Sequence, residues 1–195
     1  MALTMMLLAA LTVAPAGGDV DVVRRLYTYV VQHHPIGIPS DADMQTLGPL
    51  LSSRLTAILD TGRACEADYF RQYNETHGDG KPDFGWLERG MFSGENESAA
   101  PVEFRIVKST SERSGVSRVV VQLTYRETSE TYCCWAPNPR SHYSWRVAVL
   151  VKAENGRFVI DDVVHDAERI DRSRWRVSTS FKGCAGTRWV GARIE

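Results

Sequence analysis

The feature that most constrains this chain is a change of hydrophobic period near its middle. From residue 102 onward, apolar side chains recur at every second position in successive short runs. These are Val102, Phe104 and Ile106, then Val119, Val121, Leu123 and Tyr125, then Trp145, Val147, Val149 and Val151. The side chains between them, among them Glu103, Arg105, Arg118, Gln122, Arg146 and Lys152, are mostly polar. A period of two with one polar side predicts antiparallel strands that bury a single face. The Asn-Gly step in "ENGRF" predicts a tight turn into a last strand over residues 158–164.

Before residue 102 the period is helical. Val22, Val23, Leu26, Tyr27, Val30 and Val31 form a broad stripe over residues 20–32 that should stop at His33-His34-Pro35, because proline disfavours helix in the residue before it. Leu47, Leu50, Leu51, Leu55, Ile58 and Leu59 predict a second helix, with Pro49 near its start where a missing amide costs nothing. Residues 63–73 predict a third, carrying Cys65, Tyr69 and Phe70. From Asn74, the "NETHGDGKPDFGW" stretch reads as a loop, and the mixed charges of residues 166–177 read as a solvated helix. Helices first and a meander afterwards give an α+β domain over residues 17–195, its N-terminal helices packed on a curved antiparallel sheet.

The apolar run of residues 3–13, followed by Ala14-Pro15-Ala16, predicts a signal peptide over residues 1–16 and a periplasmic or secreted product. No later stretch is apolar and long enough to span a bilayer. A formal net charge of −1 lacks the footprint of a general nucleic-acid or membrane-surface binder. In an oxidising compartment the four cysteines, Cys65, Cys133, Cys134 and Cys184, are expected to pair. Bonding Cys133 to Cys134 would close a strained ring, so Cys65 and Cys184 are each expected to take one member of the adjacent pair. No C-x2-4-C spacing suggests zinc, adjacent His33 and His34 diverge too far on a helix to share a metal, and no cofactor is expected.

The "NGRFVIDDV" strand at the end of this layout resembles the nuclear-transport-factor-two-like, or cystatin-like, superfamily, whose cone-shaped domain encloses a pocket between helices and sheet. "LYTYVVQHHPIGIP", "LGPLLSSRLTAIL", "KPDFGWLERGMFSGENE" and "GCAGTRWVG" resemble, more narrowly, exported bacterial proteins grouped as a domain of unknown function. Enzymes of the superfamily use an Asp or His inside the cone as general base. The resemblance therefore implies Asp162 and His165 as catalytic candidates, with Asp161 and His142 behind them.

Strict alternation places Asp162 beside Phe158, Ile160 and Val164, and places Asp161 and His165 on the other face. Apolar neighbours would give Asp162 the raised pKa that a base needs. The preferred reading is that Asp162 hydrogen-bonds backbone at the strand end, and that His165 faces solvent there. For recognition, Tyr132, Trp135, Arg140, His142 and Tyr143 crowd the long connection between two strands, as aromatics and arginine do at interface hot spots. The function expected is an exported, non-enzymatic binding module of the bacterial envelope, such as an immunity protein neutralising a periplasmic toxin. Its partner would be a protein or small ligand, and it would be a monomer or homodimer. The alternative is a small-molecule isomerase, dehydratase or cyclase using Asp162.

Overall fold

A computed structural model describes residues 18–77, 89–95, 100–111, 115–126, 142–165 and 175–191, and only the backbone of residues 74–77. The expected signal peptide over residues 1–16 and the residues Tyr132, Cys133, Cys134, Trp135 and Arg140 lie outside the described residues.

Helix α1 (Asp19–His33) has Asp19 and Asp21 in its first turn, where the helix dipole favours negative charge. It stops as the sequence predicts: His34 turns left-handed at φ 48°, its N–H reaching the Val30 carbonyl at 2.9 Å, and Pro35 follows. Helix α2 (Asp41–Leu47) opens on a capping box, Ser40 accepting from the Asp43 amide at 3.2 Å and the Asp43 carboxylate accepting from the Ser40 amide at 2.9 Å.

The expected helix through Leu47 and Leu59 is broken. Pro49 sits in a 3-10 turn (Gly48–Leu50), and Leu51 becomes extended to form a parallel bridge with Ile160, the Ser52 amide donating to the Ile160 carbonyl at 2.8 Å. Ser52 Oγ then accepts from the Leu55 amide at 3.0 Å and starts α3 (Ser53–His77). This one helix absorbs the expected third helix and continues through residues 74–77, where a loop was expected. Gly62 does not interrupt α3, and a Cβ there would come within 2.5 Å of the Phe181 ring, so a glycine is needed for the tail to pack this closely.

The sheet runs β1 (Glu103–Ser111), β2 (Val116–Arg126), β3 (His142–Glu154), β4 (Arg157–His165) and β5 (Trp175–Arg176), in that order and antiparallel throughout. The turn from β3 to β4 uses Asn155 and Gly156, both at positive φ. Fold class is thus α+β, helices on an antiparallel sheet. The inward residues named above pack as expected, with Val119, Val121, Leu123, Val147, Val149 and Val151 buried against Leu26, Tyr27, Leu55 and Leu59. Val102 departs from the pattern, lying before β1 and exposed. The Tyr27 hydroxyl donates to the Phe92 carbonyl at 3.0 Å, which satisfies its polar end inside the core, and burial pushes its phenol well above the usual value.

The expected helix over residues 166–177 does not include its last three residues. Trp175 and Arg176 pair with His165 and Val164, and Val177 begins a 3-10 turn (Val177–Thr179) and is fully buried in the core. The free edge of β4 and an open position in the core outweigh the local charge pattern. The chain closes with a small hairpin, β6 (Cys184–Ala185) and β7 (Arg188–Trp189).

The cysteine pairing differs from the expectation. Cys65 and Cys184 are bonded to each other, their Cα atoms 5.9 Å apart. Asp68, one helical turn beyond Cys65, accepts from the Trp189 amide at 2.8 Å, and Trp189 packs edge-on against Tyr69 at 5.1 Å. The terminal hairpin is therefore seated on α3, and this seating brings the two sulfurs together. The Trp189 amide, together with Arg71 and Gln72, holds the Asp68 carboxyl below its usual range.

Candidate functional site

Strand β4 carries the residues proposed for catalysis, and its geometry differs from strict alternation. Leu150 pairs with Asp162 while Val151 pairs with Ile160, so Asp161 is an extra residue, a β-bulge. Beyond it the faces exchange. Ile160 points into the core, as alternation predicts, but so do Val163 and His165, while Asp162 and Val164 occupy the outer face with Leu150 and Ala148. Two consecutive acids in "IDD" are the sequence trace of this bulge.

Asp161 fastens the start of α3 to the sheet. Its carboxylate accepts from Ser52 Oγ at 2.8 Å, Arg54 Nη2 at 2.9 Å and Lys152 Nζ at 2.9 Å. Partial burial pushes this carboxyl up, but the hydrogen bonds from Arg54, Lys152 and Ser52 outweigh it and bring it down to about 2. Glu154 extends the network, accepting from the Ser53 amide at 3.0 Å and from Lys152 at 3.2 Å.

Asp162 is buried, its side chain 3% exposed. It accepts from Ser178 Oγ at 2.6 Å and from the amides of Ser178 and Val163 at 3.1 and 3.0 Å. These bonds tie the 3-10 turn to the sheet and occupy the carboxylate that a base would have to present.

His165 is 5% exposed, which corrects the solvent-facing placement. Its ring stacks on Trp175 at a centroid distance of 3.8 Å, and Nε2 lies 2.9 Å from the Met91 carbonyl. A carbonyl only accepts, so Nε2 carries the proton and Nδ1 is a buried acceptor without a partner among the described residues. Nδ1 faces Gly94, where a Cβ would lie 2.4 Å away and where φ is +81°. Burial, against the opposing effect of the Met91 bond, lowers the imidazole to about 4, so it is neutral at pH 7.

Of the proposed recognition residues, His142 is exposed at the start of β3 and Tyr143 is half-buried, its ring tilted against Tyr125 at 5.3 Å and Trp145 at 5.6 Å. Trp145 Nε1 donates to the Ser93 carbonyl at 2.7 Å. A cleft of about 360 Å³ lies between α3 and the tail, lined by Ala57, Ile58, Thr61, Phe181 and Cys184, with Arg54 at its edge already committed to Asp161.

The sheet face turned away from the helices carries polar rows over β1–β3, with Val120, Ala148 and Leu150 beside them. Across it, register places Arg105 opposite Gln122 and Gln122 opposite Arg146, with Glu103, Thr124 and Ser144 forming the next row. Arg105 donates to Gln122 Oε1 at 3.1 Å, and Thr124 and Ser144 share a hydrogen bond of 3.0 Å. The sequence shows these residues as the polar half of an alternation but gives no sign of the rows, which need the register. Among the described residues no helix is long and apolar enough to cross a membrane, and no three His, Cys, Asp or Glu side chains converge as a metal site would require. No protein-family model, curated protein or solved structure matches the chain.

Proposed function

We propose that the chain is an exported binding module of the bacterial envelope, of the cystatin-like cone type, that acts by docking a protein partner. Neutralising a toxin delivered to the periplasm is its most specific form. One observation carries the reading: the polar groups of β4 are spent on the fold. Asp161 fastens α3, Asp162 holds Ser178 and His165 holds Met91, whereas on the outer face of β1–β3 Arg105, Arg118 and Arg146 have no carboxylate partner among the described residues. Catalysis through Asp162 would first require breaking its bonds to Ser178. The disulfide between Cys65 and Cys184 is in keeping with export.

Calorimetry and pull-down with the product of the adjacent gene test this. A tight stoichiometric complex supports the proposal, and absence of binding refutes it. Trp135→Ala and Arg140→Ala, in the connection before β3, should weaken that complex without changing the melting temperature.

A further inference from the structure

We infer that the outer face of β1–β3 docks an acidic protein surface, through Arg105, Arg118 and Arg146. This rests on the binding-module reading and names the surface and the partner's chemistry.

The three arginines belong to a two-dimensional arrangement. Arg105, Gln122 and Arg146 are successive cross-strand partners, so with strands about 4.8 Å apart the two arginines stand roughly 10 Å from each other astride an amide. Arg118 lies four residues from Gln122 along β2, about 13 Å away on the same face. A neighbouring row runs Lys108, Val120, Ala148, Val164 and Arg176, of which Ala148 and Val164 are buried and Arg176 lies 3.9 Å from the Asp162 carboxylate, so only Lys108 adds to the arginines.

Among the described residues, no carboxylate pairs with Arg105, Arg118 or Arg146. The acids of this face are taken: Glu103 by Arg126 at 2.6 Å, Asp161 by Arg54 and Lys152, Asp162 by Ser178. A chain of net charge −1 thus gathers, among its described residues, three arginines without a carboxylate partner on one sheet face.

The chemistry of the face favours a protein carboxylate. Guanidinium groups bind carboxylates in a bidentate, planar manner. Half-buried Val120 and Leu150 add a little apolar surface beside the cations, while Ala148 between them is buried. A single-stranded nucleic acid would look for aromatic rings to stack its bases, and the outward positions of β1 and β2 carry none. A second copy seated face to face would set the same cations against each other, because a two-fold contact repeats one patch on both sides.

The test titrates the full mature chain with fluorescein-labelled poly-L-glutamate, with duplex DNA and heparin as competing polyanions. Wild type should bind poly-L-glutamate, more weakly at about 300 mM than at about 20 mM NaCl. Combined Arg105→Glu, Arg118→Glu and Arg146→Glu should weaken binding about tenfold or more, while reversal of exposed Arg25, Arg157 and Arg188 leaves it within about twofold. Circular dichroism and melting temperature establish that both variants fold; should the triple reversal not fold, Arg105→Gln with Arg146→Gln replaces it.

Equal loss in both sets, tighter binding of DNA or heparin than of poly-L-glutamate, or a dimer by light scattering that the triple reversal dissociates would each overturn the inference. The product of the adjacent gene separates the two levels. If it binds wild type and the triple reversal alike, this face is wrong and the binding-module reading stands; if it binds neither while poly-L-glutamate binds as described, the reading of its partner fails and the face stands.

Discussion

Lowering the pH should loosen the attachment of β4 to the 89–95 segment through one side chain, His165. Its imidazole is neutral in the fold down to about 4, whereas in the unfolded chain it titrates near 6.5. Above 6.5 both states are neutral and His165 does not change stability with pH. Between 6.5 and about 4 the unfolded chain takes up a proton that the buried ring refuses, so stability falls with decreasing pH and levels off once the folded ring also protonates. At about 1.4 kcal/mol for each pH unit, the loss is on the order of 3 kcal/mol, a sizeable part of a domain's total stability.

Of the groups facing the ring, the Met91 carbonyl at Nε2 favours the cation, but Gly94 gives Nδ1 no acceptor, the charge of Arg89 disfavours protonation, and burial outweighs the Met91 bond. Urea unfolding at pH 7.5, 6.5, 5.5 and 4.5 is the assay, with His165→Gln as the comparison. Glutamine keeps a donor toward Met91 and does not titrate. Other groups shift too, Glu66 being raised by burial, and so acting in the opposite sense, while Asp161 titrates lower, but they cancel in the difference between the two proteins. Wild type should lose about 2.5 kcal/mol more than His165→Gln over this range. Parallel pH dependences would refute the buried, neutral placement of His165.

Gly94→Ala should destabilise the domain by about 2 kcal/mol or more, combining left-handed backbone strain with a Cβ against Nδ1, as denaturant unfolding would show. Asp162→Ala should cost about 1–3 kcal/mol by leaving the Ser178 amide unpaired, and the partner's affinity should not change; a lost complex with intact stability would restore a functional role for this carboxylate. Replacing Cys65 and Cys184 together by serine should lower stability by up to roughly 5 kcal/mol on chain-entropy grounds, since the bond closes a sequence separation of 119, and peptide mapping under non-reducing conditions should recover the Cys65 and Cys184 peptides joined. Below pH 4, Arg54→Ala should narrow the acid-induced loss of stability, because Asp161, held at about 2, contributes stability that vanishes as pH falls through that value.

Much of this architecture was legible because burial writes a period into the chain. Val119, Val121 and Leu123 could face the helices only from a strand, and His33-His34-Pro35 could only end a helix. What the pattern missed came from contacts between distant segments. The bridge from Leu51 to Ile160 splits a leucine-rich stretch that local propensity would keep helical, although Ser52-Ser53 is a capping signal in hindsight. Alternation fails at Asp161 because one inserted residue exchanges every later side chain between faces, so His165, which strict alternation turns away from the core, lies buried. Cysteine pairing depended on where the tail hairpin docks, fixed by Asp68 and Trp189 across the fold. The arginine row was invisible for the same reason, since Arg105 and Arg146 are 41 positions apart and become neighbours of Gln122 only through the register.

The most direct measurement of the central claim follows arginine side-chain Nε–Hε resonances while the product of the adjacent gene is added to the labelled protein. Binding through the outer sheet face predicts that Arg105, Arg118 and Arg146 shift or broaden to saturation at a defined stoichiometry, and that Arg54, fastened to Asp161, stays in place. Perturbation confined to Arg54 and the helix arginines Arg24 and Arg25, or no perturbation at all, would contradict it.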